Sequence, residues 1–138
     1  MAPKPALVVT VWDPRVGFEV LTRSIPPVPI DIRAALEIDE SLYEGAQRMA
    51  EQGAAPARQL GFDAEALAVA DVITVAATLV RLARERDAAT NVVGTHVHQA
   101  VREILVGSTA RDVIRTAPCP VILVRDRKER DRGEDKAA

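Results

Sequence analysis

The sequence predicts an α/β fold: an open parallel sheet of about four strands in the order β-α-β-α-β-α-β. Three observations predict it. Short runs rich in β-branched residues recur, among them Ala6–Trp12, Val92–Val93 and Val121–Val124. Longer segments separate them, each long enough for a crossover helix, which implies parallel pairing and right-handed connections. Hydrophobic residues make up 48% of the chain and aromatics only 3%, so the core is built from Ala, Val, Leu and Ile. That composition suits a parallel sheet under alanine-rich helices.

The elements follow in order. Ala6–Trp12 is apolar and is cut off by Asp13-Pro14, which makes it a buried strand. Residues 13–30 hold Pro14, Pro26, Pro27 and Pro29 and read as a loop, with Val16, Phe18, Val20 and Leu21 as packing residues. A helix is predicted from about Asp31, its N-cap, to Gln59, with Ile38, Leu42, Ala46, Met49 and Gly53 as one apolar stripe. Pro56 is expected to kink or break it, and Gly61 to stop it. Ala64–Ala70 is the second strand. Asp71–Arg86 is the second helix, with Val72, Val75, Ala76, Leu79, Leu82 and Ala83 buried and Arg81, Arg84 and Arg86 near its C-terminus, where the dipole favours cations. Val92-Val93 is the core of the third strand. Residues 108–117 form the third helix, with Ala110, Val113, Ile114 and Ala117 on one face, and Val121–Val124 is the last strand. Residues 126–138 are nearly all charge and are expected to be a disordered tail to a single domain over 1–125.

Charge and cysteine usage narrow the function. A net charge of −2 argues against nucleic acid as a partner. One cysteine allows no intrachain disulfide and points to a reducing cytoplasm. No stretch is long enough to span a membrane, and the apolar N-terminal run reads as a strand, not a signal peptide.

The informative stretch runs from Val92 to Arg125. A strand enters Gly94, and Gly107-Ser108-Thr109 opens a helix. Glycine at a strand end lets the backbone turn sharply and lets a ligand approach it closely, so Gly94 is expected to give the turn. The free N–H groups and positive dipole of a helix start attract phosphate. The Ser108 and Thr109 hydroxyls suit either a helix cap or a phosphate oxygen, so an ordinary N-cap competes with a phosphate site.

Together with Ala117-Pro118-Cys119-Pro120-Val121, these residues resemble the C-terminal half of a universal stress protein (UspA-like) domain. ATP-binding members carry a glycine, two residues, a second glycine, nine residues, then Gly with Ser or Thr. Here the first position is Gly94, the last pair is Gly107-Ser108, and the second position is Val97. The resemblance implies an adenine-nucleotide alpha hydrolase-like, Rossmann-like sandwich, a stress-response role and dimers through the last strand, Val121, Ile122, Leu123 and Val124. It implies ATP binding only for members with the intact glycine motif, and any nucleotide held here is expected at Gly94, Thr95, Gly107, Ser108 and Thr109. It covers roughly Ala6 to Arg125 and corresponds to the family domain without its first β-α unit, where the family's base-contacting Asp lies. Because that first strand is central, its loss is expected to expose two strand edges or force the sheet to close up.

Other residues carry blander readings. His96 and His98 are two apart, but only Glu103 lies nearby as a further ligand, so they read as solvated loop residues. Cys119 reads as a small packing residue, Trp12 as core, and Asn91 as an edge position. No nucleophile, base or paired carboxylates stand in a catalytic arrangement, so no enzyme is predicted. A second function follows from Val97 and the absent first unit. Its β-branched side chain resists positive φ and puts methyl groups where phosphate would approach. On that reading the chain is a nucleotide-free dimeric interaction module of the same fold.

Overall fold

The computed structural model describes residues 2–15, 19, 23, 31–71, 73–94 and 107–124. The chain divides into two compact units, the first ending at Val72 and the second beginning at Ile73.

The first unit is β1 (Lys4–Trp12), α1 (Ile32–Gln59) and β2 (Phe62–Ala70). β1 and β2 pair in parallel from Lys4↔Phe62 to Trp12↔Ala70, and Asp71 N–H extends the ladder to the Trp12 carbonyl at 2.7 Å. That bond removes Asp71 from the helix predicted to start there. α1 starts where Asp31 accepts the Arg33 N–H at 2.9 Å, as predicted. It runs through Pro56 to Gln59 and stops at Gly61, whose φ of +92° only glycine adopts cheaply. Its buried residues are Ala46, Ala50 and Ala54, while Met49 is 63% exposed. The predicted stripe is therefore rotated. The cause is the closeness of helix and strand: a Cβ on Gly53 would lie 2.9 Å from Val8 Cγ1. Only small side chains fit between them, so the alanines take the contact face. Within the predicted loop, Glu19 N–H bonds to Arg15 O and Arg23 N–H to Glu19 O, the spacing of a helical turn. The packing residues assigned to that loop, Val16, Phe18, Val20 and Leu21, lie outside the described residues.

The second unit is α2 (Val75–Glu85), β3 (Asn91–Gly94), α3 (Ser108–Thr116) and β4 (Val121–Val124). α2 begins four residues later than predicted from Asp71, because Thr74 caps it, accepting the Ala77 N–H at 3.1 Å. Its buried residues are Ala76, Thr78, Val80, Leu82 and Ala83. Val75 and Leu79 are only half-buried, and Val72 is outside the described residues. Thr78 tolerates burial by donating to the Thr74 carbonyl at 3.0 Å. α2 packs on α3, whose buried residues are Ala110 and Val113; Ile114, expected on that face, is 47% exposed. β3 and β4 pair in parallel from Asn91↔Val121 to Gly94↔Val124.

The fold is thus parallel α/β, with its strands hydrogen-bonded as two pairs, β1–β2 and β3–β4.

Candidate functional site

The predicted phosphate site belongs to the second unit. Gly94 ends β3 in register with Val124, exposed at the carboxyl end of the β3–β4 pair. Ligands in parallel sheets sit beyond this end. α3 connects β3 to its parallel neighbour β4, so the helix runs against the strands and its N-terminus lies toward the same end. Gly107 is the N-cap of α3, and Ser108 and Thr109 are its first residues. Thr95 lies outside the described residues, as do His96, Val97, His98, Gln99 and Glu103.

Two details correct the residue roles. Gly94 does not occupy the positive-φ region, so it is not a forced turn. Its use is exposure, since an added Cβ would meet only the Val124 carbonyl, at 4.0 Å. Ser108 is not the cap. The N-cap is Gly107, and α3 has no side-chain cap hydrogen bond. A helical Ser108 has its hydroxyl one position too late to reach back to the first turn. Among the described residues no group accepts from the Ser108 or Thr109 N–H. A Cβ at Gly107 would meet nothing within 4 Å. Among the described residues the helix start is therefore polar and uncapped, which is the form an anion requires.

The β3–β4 pair carries a second feature. Partners in a parallel ladder share a face, so Val92 and Ile122 lie on one side with Gly94 and Val124. Val92 is 63% exposed, Ile122 52% and Val124 49%. On the other face Val93 and Val121 are half-buried and Leu123 is 39% exposed.

Sequence reasoning missed the carboxyl end of β1–β2. There Trp12 meets Tyr43 edge-on at 6.0 Å. Asp71 is only 8% exposed, and among the described residues its Oδ1 has no hydrogen-bond partner. Asp13 and Arg15 form a two-point ion pair, which holds the Asp13 carboxyl below the ordinary carboxylate range and raises Arg15. An acid directly after an apolar run was the available signal. Asn91 also holds an unpartnered buried Nδ2. Cys119 is half-buried and free. Among the described residues no three His, Cys, Asp or Glu side chains are grouped to hold a metal, and no helix is long and apolar enough to cross a membrane.

The model of the "Universal stress protein family" matches residues 4–125. Among solved structures, the hypothetical protein MJ0577 aligns with a TM-score of 0.69 at 20% identity over 92% of this chain and 79% of its own. The hypothetical protein PH0823 aligns with a TM-score of 0.60 at 18% identity over 91% and 78%. A universal stress protein from Archaeoglobus fulgidus aligns at 0.53 and 22% identity over 87% and 93%. At these identities the likeness is one of fold. No curated protein matches the chain by sequence.

Proposed function

The chain belongs to the universal stress protein family, and from that membership we propose that it is a stress-response domain acting as a homodimer joined through β4. The observation that carries this is the exposed apolar face of Val92, Ile122 and Val124. Apolar side chains gathered on one sheet face mark an interaction surface more often than scattered ones do. Among the described residues β4 pairs with β3 alone, which leaves its other edge open there. In a parallel pair the Asn91 N–H reaches the Pro120 carbonyl, which places Pro120, Ile122 and Val124 toward β3 and Val121 and Leu123 on the outer edge. A two-fold axis pairs such edges with themselves. The reading includes a cytoplasmic location, which the single cysteine supports, and no catalytic step. Sedimentation at several concentrations tests it. A dimer is expected, and a folded chain that stays monomeric at high concentration overturns it.

A second reading has its own observation, the uncapped start of α3. On it, ATP lies with its phosphates on the Gly107, Ser108 and Thr109 amides and against Gly94. A ligand that binds only the folded state raises the melting temperature. ATP is therefore expected to raise the Tm, and replacing Val97 by glycine, together with Gln99, which also occupies a position often held by glycine, to enlarge the shift. No shift in either form leaves the nucleotide-free dimer.

A further inference from the structure

The two edges of the β1–β2 ladder are finished differently. Asp71 N–H reaches the Trp12 carbonyl, so odd-numbered residues of β2 point toward β1. Even-numbered ones then point outward from β2, and α1 has filled that edge with side chains. Gln47 Nε2 donates to Ala66 O at 3.3 Å, Ala68 N–H donates to Gln47 Oε1 at 3.1 Å, and Arg58 Nε donates to Ala64 O at 2.8 Å. A glutamine that accepts at one position and donates two residues before it imitates a neighbouring strand. This edge is closed to another chain.

The opposite edge has no such cover. By the same alternation, Pro5, Leu7, Val9 and Val11 of β1 point away from β2. Among the described residues no group bonds to their outward N–H or C=O. Pro5, which has no N–H, stands at an outward position and costs the β1–β2 ladder nothing. From Ala6 to Trp12 no residue of β1 is fully buried, although all but Thr10 are apolar.

We infer that β1 pairs with β1 of a second copy, antiparallel about a two-fold axis at Val9. The edge is complementary to itself in that register. Val9 faces Val9 and Leu7 faces Val11, and every outward N–H finds a carbonyl. Pro5 falls outside the paired core, whereas sliding the register toward the N-terminus sets Pro5 opposite a carbonyl it cannot serve. Leu7, Val9 and Val11 also share one face, so pairing joins two apolar rows into one. This interface uses β1 residues and needs none from β4.

Amide exchange of the full chain carrying Ile122→Lys, which removes the β4 contact, tests the inference. The Ala6, Val8 and Thr10 amides, bonded to β2, are protected at every concentration. The Leu7, Val9 and Val11 amides are expected to gain protection at least tenfold on concentration, in step with a doubling of mass. Val9→Pro deletes an outward N–H and no bond to β2, and is expected to abolish that gain. Three results overturn the inference: outward amides that exchange freely at all concentrations, outward amides equally protected at all concentrations because the chain covers its own edge, or protection that rises without the doubling of mass. The concentration series decides the matter even if the proline variant does not fold.

Discussion

Gln47 does from a helix what an adjacent strand would do. Its amide bonds both Ala66 and Ala68 of the β2 backbone. Gln47→Leu keeps the volume and leaves those two groups unpaired, so a loss of about 1–3 kcal/mol is expected. A urea titration measures it, and an unchanged midpoint would show that water replaces the amide without cost. Ser108 gives the opposite expectation. Its hydroxyl is not a cap, so Ser108→Ala should move the midpoint by less than about 0.5 kcal/mol. If the second functional reading holds, the same substitution reduces the ATP-induced rise in Tm, which separates a ligand group from a structural one. Arg58 works at two places, donating to the Ala64 carbonyl and pairing with Glu51, whose carboxyl it holds below the ordinary value.

At the scale of elements, α1 illustrates how one residue type has two values. Gly45 and Gly53 both lie inside the same continuous helix. A Cβ at Gly45 meets only Arg48 Nη2, at 3.8 Å, whereas at Gly53 it meets Val8 Cγ1 at 2.9 Å. Gly45→Ala should therefore stabilise the protein by up to about 1 kcal/mol through helix propensity. Gly53→Ala should destabilise it by roughly 1–2 kcal/mol, because the overlap outweighs the propensity. In a Val8→Ala background the overlap is gone and Gly53→Ala should become stabilising. A double-mutant cycle reads the coupling directly, and additive effects would mean that helix and strand shift apart freely. β4 has a comparable asymmetry. Ile122 lies on the exposed face and Leu123 on the more covered one. Ile122→Lys is expected to weaken self-association with folding retained, and Leu123→Lys to lower the unfolding midpoint; the reverse pattern in sedimentation and denaturation would reassign the faces.

For the whole molecule, two surfaces have different consequences. As proposed above, the β4 face and the β1 edge are each self-complementary, and each alone would close into a dimer. Acting together they build assemblies larger than a dimer, since every copy then offers two different two-fold contacts. The full chain is expected to show species heavier than a dimer at high concentration, and Ile122→Lys or Val9→Pro singly to reduce them to dimers. Light scattering across a concentration series checks this, and heavy species that persist in both variants would place the contact elsewhere.

Sequence alone determined the strands, the parallel α/β class and the family. β-Branched runs between amphipathic segments are local signals, and Gly94, Gly107-Ser108 and Ala117–Val121 are contiguous enough to read without a fold. Gly61 as a stop and Asp31 as a cap were legible for the same reason, because each acts within a few residues of itself. Tertiary structure decided what depends on distance between elements. The close approach of α1 to Val8 turned its buried stripe to Ala46, Ala50 and Ala54 and put Met49 outside. The ladder bond to Trp12 drew Asp71 out of α2 and left Thr74 as the cap. Gln47 and Arg58 gave no sign in the sequence that they close a strand edge, because a side chain's bond to a backbone 19 or 6 residues away depends on how helix and strand pack and leaves no periodic trace.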